Sequence, residues 1–99
     1  MNPKELFNIH PLLMDRTRLA IMALLNASEE AVSFNMLIEA LSLTKGNASS
    51  HIRNLEKEKL VKVTKKIIDR KTKTTYQVTP LGKKEFSNYL ITIQQLINK

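Results

Sequence analysis

Two short amphipathic helices joined by a link of only two or three residues constrain this chain more than any other feature. Ser33 offers a cap for a helix from Phe34 to about Leu41, with Phe34, Leu37, Ile38 and Leu41 on one face. Thr44 offers the next cap, because its hydroxyl can accept from a free amide in a first turn. After it Ala48, Ile52 and Leu55 recur at i, i+4 and i+7, a narrow apolar stripe on a helix ending near Lys59. So short a link is how a helix-turn-helix shows itself in sequence, spanning about 33–59, with Leu43 as the plug of its turn. Gly is common in such turns and is missing here before Gly46.

At about 100° per residue, the far side of the second helix collects Gly46, Ser50, Arg53 and Lys57, flanked by Asn47 and Asn54. That side has no acid and no large apolar group; it is small and donor-rich near its N-terminus and basic further along. A helix lying in a DNA major groove needs short side chains where its backbone meets base edges. It also needs Asn, Ser, Lys or Arg to pair with bases and phosphates. An ordinary amphipathic surface helix would carry the same apolar stripe. The charge distribution favours the first reading. Residues 45–73 hold ten Lys/Arg and three acids while the remainder holds six of each, so the whole net charge of +7 falls in that window. Such clustering implies a side that faces a polyanion.

The window continues past the helix into a change of period. Val61, Val63 and Lys65 alternate with Lys62, Thr64 and Lys66, and beyond the polar run 69–73 Tyr76 and Val78 alternate with Thr75, Gln77 and Thr79. This is a two-stranded antiparallel hairpin over about 60–79 with a basic tip carrying Arg70 and Lys71; Ile67 and Ile68 break its alternation. Upstream, Asn2-Pro3 starts a short helix with an apolar side of Leu6, Phe7 and Ile9, ended by Pro11. Asp15 caps a helix to about Asn26 whose Leu19, Ile21, Met22, Leu24 and Leu25 point in all directions, as in a buried central helix. Ala31-Val32 suits a brief strand. Thr79-Pro80 opens a last helix, about 80–97, striped by Phe86, Tyr89, Leu90, Ile93, Leu96 and Ile97, with Ile91 off the stripe. The fold expected is mainly α with a small β-hairpin, a single winged domain over 1–99 with extra N- and C-terminal helices.

Several function classes lose their support. There is no Cys, and His10 and His51 are too few and too far apart for a metal site, so no cofactor is expected. Ser49 and Ser50 lack the His and acid partners of a nucleophile, and no catalytic constellation exists. Arg16, Arg18 and the apolar run after them superficially resemble a secretory leader. The long preceding segment with Glu5, Asp15 and two prolines argues against one, and no run reaches bilayer length. A cytoplasmic protein without membrane contact is the expectation.

The order helix, short strand, helix, helix, hairpin, helix resembles the small winged-helix regulators related to the MarR and ArsR families. The resemblance covers residues 9–90. It rests on Arg18-Leu19-Ala20-Ile21, on residues 43–52, on Leu55-Glu56-Lys57-Glu58-Lys59-Leu60-Val61, and on Arg70-Lys71 with residues 74–82. It implies a homodimer on double-stranded DNA, with paired reading helices in successive major grooves and wings in adjacent minor grooves. Metal-sensing ArsR relatives use Cys or paired His and acid ligands, and that pattern is absent. MarR relatives often bind small lipophilic effectors, for which the sequence gives no specific support.

The candidate DNA contacts are Lys45, Asn47, Ser49, Ser50, Arg53, Asn54 and Lys57 on the helix, with Arg70, Lys71 and Lys73 on the hairpin. Asn47, Ser50 and Asn54 suit base edges, although Asn47 could equally serve the helix start. Arg53 and Lys57 suit phosphates. His51, near the apolar stripe, suits packing better than a base contact, and Tyr76 suits the core. Leu6, Phe7 and Ile9 with Phe86, Tyr89, Leu90, Ile93 and Ile97 exceed what a minimal winged helix must bury, and form the expected dimer surface. Two other classes stay open: an RNA-binding or architectural winged helix, and a module whose basic face meets an acidic protein.

Overall fold

Each α-helix begins at a cap that the sequence supplies. Asp15 accepts from the Thr17 and Arg18 amides at 2.9 and 3.0 Å to open α1 (Arg16–Ala27). Ser33 accepts from Met36 at 3.2 Å to open α2 (Phe34–Leu41), and Thr44 from Asn47 at 3.1 Å to open α3 (Lys45–Lys57). Thr79 accepts from Gly82 at 2.9 Å to open α4 (Pro80–Ile97), with Pro80 where a missing N–H costs nothing. The structure, a computed structural model, describes residues 2–98. Ahead of α1 lie two 3-10 helices, Pro3–Asn8 and Pro11–Leu13, each with proline at its start.

The strands are β1 (Val32–Ser33), β2 (Val61–Ile68) and β3 (Lys71–Val78), in one antiparallel sheet of order β1-β3-β2. The hairpin is therefore backed by a third short strand, with Val32 opposite Tyr76 and Ser33 opposite Thr75. The buried ends of the sheet, Val32, Val61 and Tyr76, close over a core of Leu13, Ile21, Met22, Leu25, Leu37, Ala48, Ile52, Leu55 and Leu60. Phe34 meets Tyr76 with ring centroids 6.3 Å apart, tying the start of α2 to the sheet. Burial pushes the Tyr76 phenol above its ordinary pKa, with the Glu56 carboxylate adding to the shift.

Three expectations need correction. Ile9 is 3% exposed and belongs to the chain's own core, so it offers nothing to a partner. α1 is one-sided: Ile21, Met22 and Leu25 are buried, Leu19 and Leu24 only half-buried, and Ala23 exposed, because a domain this small covers one face of a helix. Lys71 is not at the hairpin tip. It is the first residue of β3, paired with Ile68, and the turn itself is the two residues Asp69 and Arg70.

The turns explain the scarcity of glycine. Ser42, φ 54 and ψ 45, adopts the left-handed conformation that ends α2, and the Leu43 amide donates back to the Ile38 carbonyl at 3.0 Å. Lys59, φ 62, does the same after α3, with Leu60 N–H donating to Leu55 O at 2.9 Å. Asp69 and Arg70, φ 52 and 66, form a two-residue hairpin turn with both residues left-handed, the arrangement that matches strand twist. Gly82 alone is required for space. A Cβ there would overlap the Leu60 carbonyl oxygen and lie 2.7 Å from Val78 Cγ2.

Candidate nucleic-acid interface

α3 is seated on the domain by its apolar stripe. Ala48, Ile52 and Leu55 are buried against α1 and β2, and they fix which side faces out. Lys45, Gly46, Asn47, Ser49, Ser50, Arg53, Asn54 and Lys57 are all exposed. Thr44 supplies the cap, which leaves the Asn47 side chain free of that duty and exposed. The acid on this helix, Glu56, is exposed, and its charge acts on Tyr76 of the sheet. Thirteen residues at 1.5 Å each make a rod about 20 Å long, and its diameter of about 10–12 Å is that of a B-DNA major groove.

His51 is half-buried and does not join the outward set. Arg18 of α1 donates through Nη1 to His51 Nδ1 at 3.2 Å and through Nε to the Leu12 carbonyl at 2.7 Å. A guanidinium cannot accept, so Nδ1 of the ring is the acceptor in this contact. Arg18 thereby joins α3, α1 and the second 3-10 helix through one planar group, a link that no local sequence pattern signals. Next to it, the hydrogen bond from the Arg18 amide, opposed in part by burial and aided by the Arg18 charge, holds the Asp15 carboxyl below its usual value.

The basic hairpin adjoins α3. An open groove between them is lined by Ser33, Phe34 and Asn35 at the start of α2, by Ser49 of α3, and by Ile68, Lys71, Thr72, Lys73, Thr74 and Tyr76 of the hairpin. Ser49, Lys71 and Lys73 are thus brought together, while Arg70 stands beyond them at the turn. Along the hairpin Lys66 is paired directly with Lys73, and Lys65 and Lys62 are exposed beside them. Like charges set opposite each other across strands destabilise a free hairpin and are relieved by a polyanion. Lys62, Lys65 and Lys66 were missing from the sequence-based site; strand alternation signalled Lys62 and Lys66, opposite Val61 and Val63, while Lys65 shares the valine face and is exposed because it lies beyond the core.

The far side of the molecule differs in character. Phe86, Tyr89, Ile93 and Leu6 pack partly against the chain's own core, so only part of the expected dimer surface is free. Phe7, Leu90, Ile91 and Ile97 are left 88, 50, 54 and 73% exposed. Asn88 of α4 donates to the Asn8 carbonyl at 3.3 Å and ties the N-terminal segment alongside that helix. Among the described residues no helix is long and apolar enough to cross a membrane, and no group of three His, Cys, Asp or Glu could hold a metal ion.

Comparisons with known proteins agree with this geometry. Residues 17–97 match the family described as winged helix DNA-binding domain. An uncharacterised protein from Methanocaldococcus jannaschii is 39% identical over 79 residues, covering 80% of this chain and 85% of the relative. The structure of a transcriptional regulator homologue from Pyrococcus horikoshii superposes with a TM-score of 0.85 at 35% identity, over 96% of this chain and 95% of that one. Two more distant structures, each 19% identical, share the fold. One is BpsR of Bordetella bronchiseptica, whose DNA binding is regulated by 6-hydroxynicotinic acid, with a TM-score of 0.73 over 91% of this chain and 67% of that one. The other is a mutant MepR of S. aureus bound to an oligodeoxyribonucleotide, with a TM-score of 0.71 over 95% of this chain and 64% of that one. The chain belongs to the winged-helix DNA-binding domain family, with the fold of MarR-like transcriptional regulators.

Proposed function

We propose that this chain is a sequence-specific regulator of transcription that binds duplex DNA as a homodimer. α3 lies in the major groove, and the β2–β3 wing reaches the minor groove and backbone. The observation that carries this reading is the continuity of α3 and wing: Ser49, Lys71 and Lys73 line one groove, beside an α3 face that buries no polar group. Ser50 and Asn54 read base edges, and Asn47 joins them. Arg53 and Lys57 hold phosphates and set the register of the helix on the duplex. The dimer is supported by Phe7, Leu90, Ile91 and Ile97, four large apolar side chains exposed on the α4 side. Chemistry on a substrate has no place in this reading.

Reading and positioning separate by mutation. Ser50→Ala and Asn54→Ala should relax preference at one or two base pairs, at about 1–3 kcal/mol of discrimination for a well-made base contact. Arg53→Ala should instead weaken binding to every duplex alike. The measurement is the base preference of each variant across a set of single-substitution duplexes. An unchanged preference in both base-reading variants would place specificity outside α3. An equal affinity for duplex RNA would favour an RNA-binding role.

A further inference from the structure

Ile67 and Ile68 are the last two residues of β2, and they are 80 and 49% exposed. Val61, the buried residue at the other end of that strand, lies six residues away, about 20 Å at strand rise. Neither belongs to the chain's own core, and only Ile68 comes near it, sharing a groove with Phe34 and Tyr76. Successive strand residues point to opposite faces, so the tip of the hairpin carries one aliphatic side chain on each face. Around them stand Lys65, Lys66, Arg70, Lys71 and Lys73, against the single acid Asp69. Ile68 also lines the groove that Lys71 and Lys73 share with Ser49 of α3. The apolar tip is therefore continuous with the face proposed to meet DNA.

We infer that Ile67 and Ile68 form an apolar wedge that enters the minor groove of DNA and selects a deformable base step there. The inference rests on the DNA-binding mode proposed above. The lysines bring the hairpin to the phosphates, and the isoleucines give its tip somewhere dry to go. A ribbon with side chains on both faces is about 10 Å thick, while the minor groove of B-DNA is about 6 Å wide. Seating the tip widens or kinks the duplex, which is least costly at pyrimidine–purine steps. The wedge thus adds specificity at base pairs that α3 never touches.

The test uses the full chain and duplexes that keep one α3 site while the flanking step is TpA, CpA or part of a stiff A-tract. Binding is measured over a range of salt for wild type, for the Ile67→Thr/Ile68→Thr pair, for Arg70→Gly and for a Lys71→Ala/Lys73→Ala pair. Threonine keeps the β-branch and the strand, and removes the apolar contact. The threonine pair should bind about tenfold or more weaker, with an unchanged salt slope and no remaining preference for the flexible flank. Arg70→Gly should lower the salt slope by about 0.9 and retain that preference. Unchanged affinity and flank preference in the threonine pair, with the Arg70 effect present, overturns the wedge alone. A reduced salt slope in the threonine pair also overturns it, since the charges would then have moved. If Arg70→Gly and the Lys71→Ala/Lys73→Ala pair both leave the slope unchanged, the wing is not on DNA and the underlying reading fails. Binding to anionic vesicles that the threonine pair abolishes, without any change on DNA, would assign the tip to a membrane surface instead.

Discussion

Gly82 sits where three elements converge. The Leu60 carbonyl, which a Cβ at this position would overlap, accepts the Thr79 amide at 3.1 Å, and the Thr79 hydroxyl donates to the Lys59 carbonyl at 2.6 Å. The obstacle is backbone, pinned by hydrogen bonds from the residue that caps α4. Gly82→Ala should therefore destabilise the fold by about 3 kcal/mol, near the upper end for overpacking, as read by urea unfolding. A loss under about 0.5 kcal/mol would mean that α4 shifts freely, contrary to the packing described. The caps and the apolar spacing around this point were legible in sequence, since Thr79-Pro80 names its own role. The requirement for glycine was not, because it depends on a carbonyl 22 residues earlier. Ile9 misled for a related reason: local apolarity does not distinguish a side chain that reaches its own core from one left outside.

The wing shows at the level of an element what its turn costs and why. A two-residue turn with both residues left-handed favours Asn-Gly, and this chain uses Asp69 and Arg70 at φ 52 and 66. Arginine has a Cβ that crowds its own backbone there, at about 1–2 kcal/mol. Arg70→Gly should accordingly raise the stability of the free protein by about 1 kcal/mol while weakening its hold on DNA. Paired thermal unfolding and binding measurements check both halves. A variant that is neither more stable nor weaker in binding would show that the turn is unstrained and Arg70 idle. Strand alternation made the hairpin legible from sequence, and its basic character with it. The turn could not be named because its conformation is imposed by an eight-residue ladder, Val61 with Val78 through Ile68 with Lys71, which sets the register against local preference. The same ladder moved Lys71 off the tip.

The molecule as a whole has two unlike sides. One is basic and polar, made of α3 and the wing; the other carries Phe7, Leu90, Ile91 and Ile97 in the open along α4 and the segment bound to it. Burial of an aliphatic or aromatic side chain is worth about 1.5–3 kcal/mol, so a second copy docked there gains several such contributions. Leu90→Glu/Ile91→Glu should leave the fold intact, since both side chains are already half out, and yield a monomer in sedimentation at micromolar concentration. A wild-type monomer under those conditions would remove the dimer. Shortening α4 would be a poorer test, because Thr92 is buried and Ile93 packs on the core. Selection of preferred sites from random duplex DNA probes both sides together. A two-fold dimer should recover a palindrome whose half-sites lie about 10 base pairs apart, one turn of the helix. Recovery of no preferred sequence, or of a single asymmetric half-site, would contradict it.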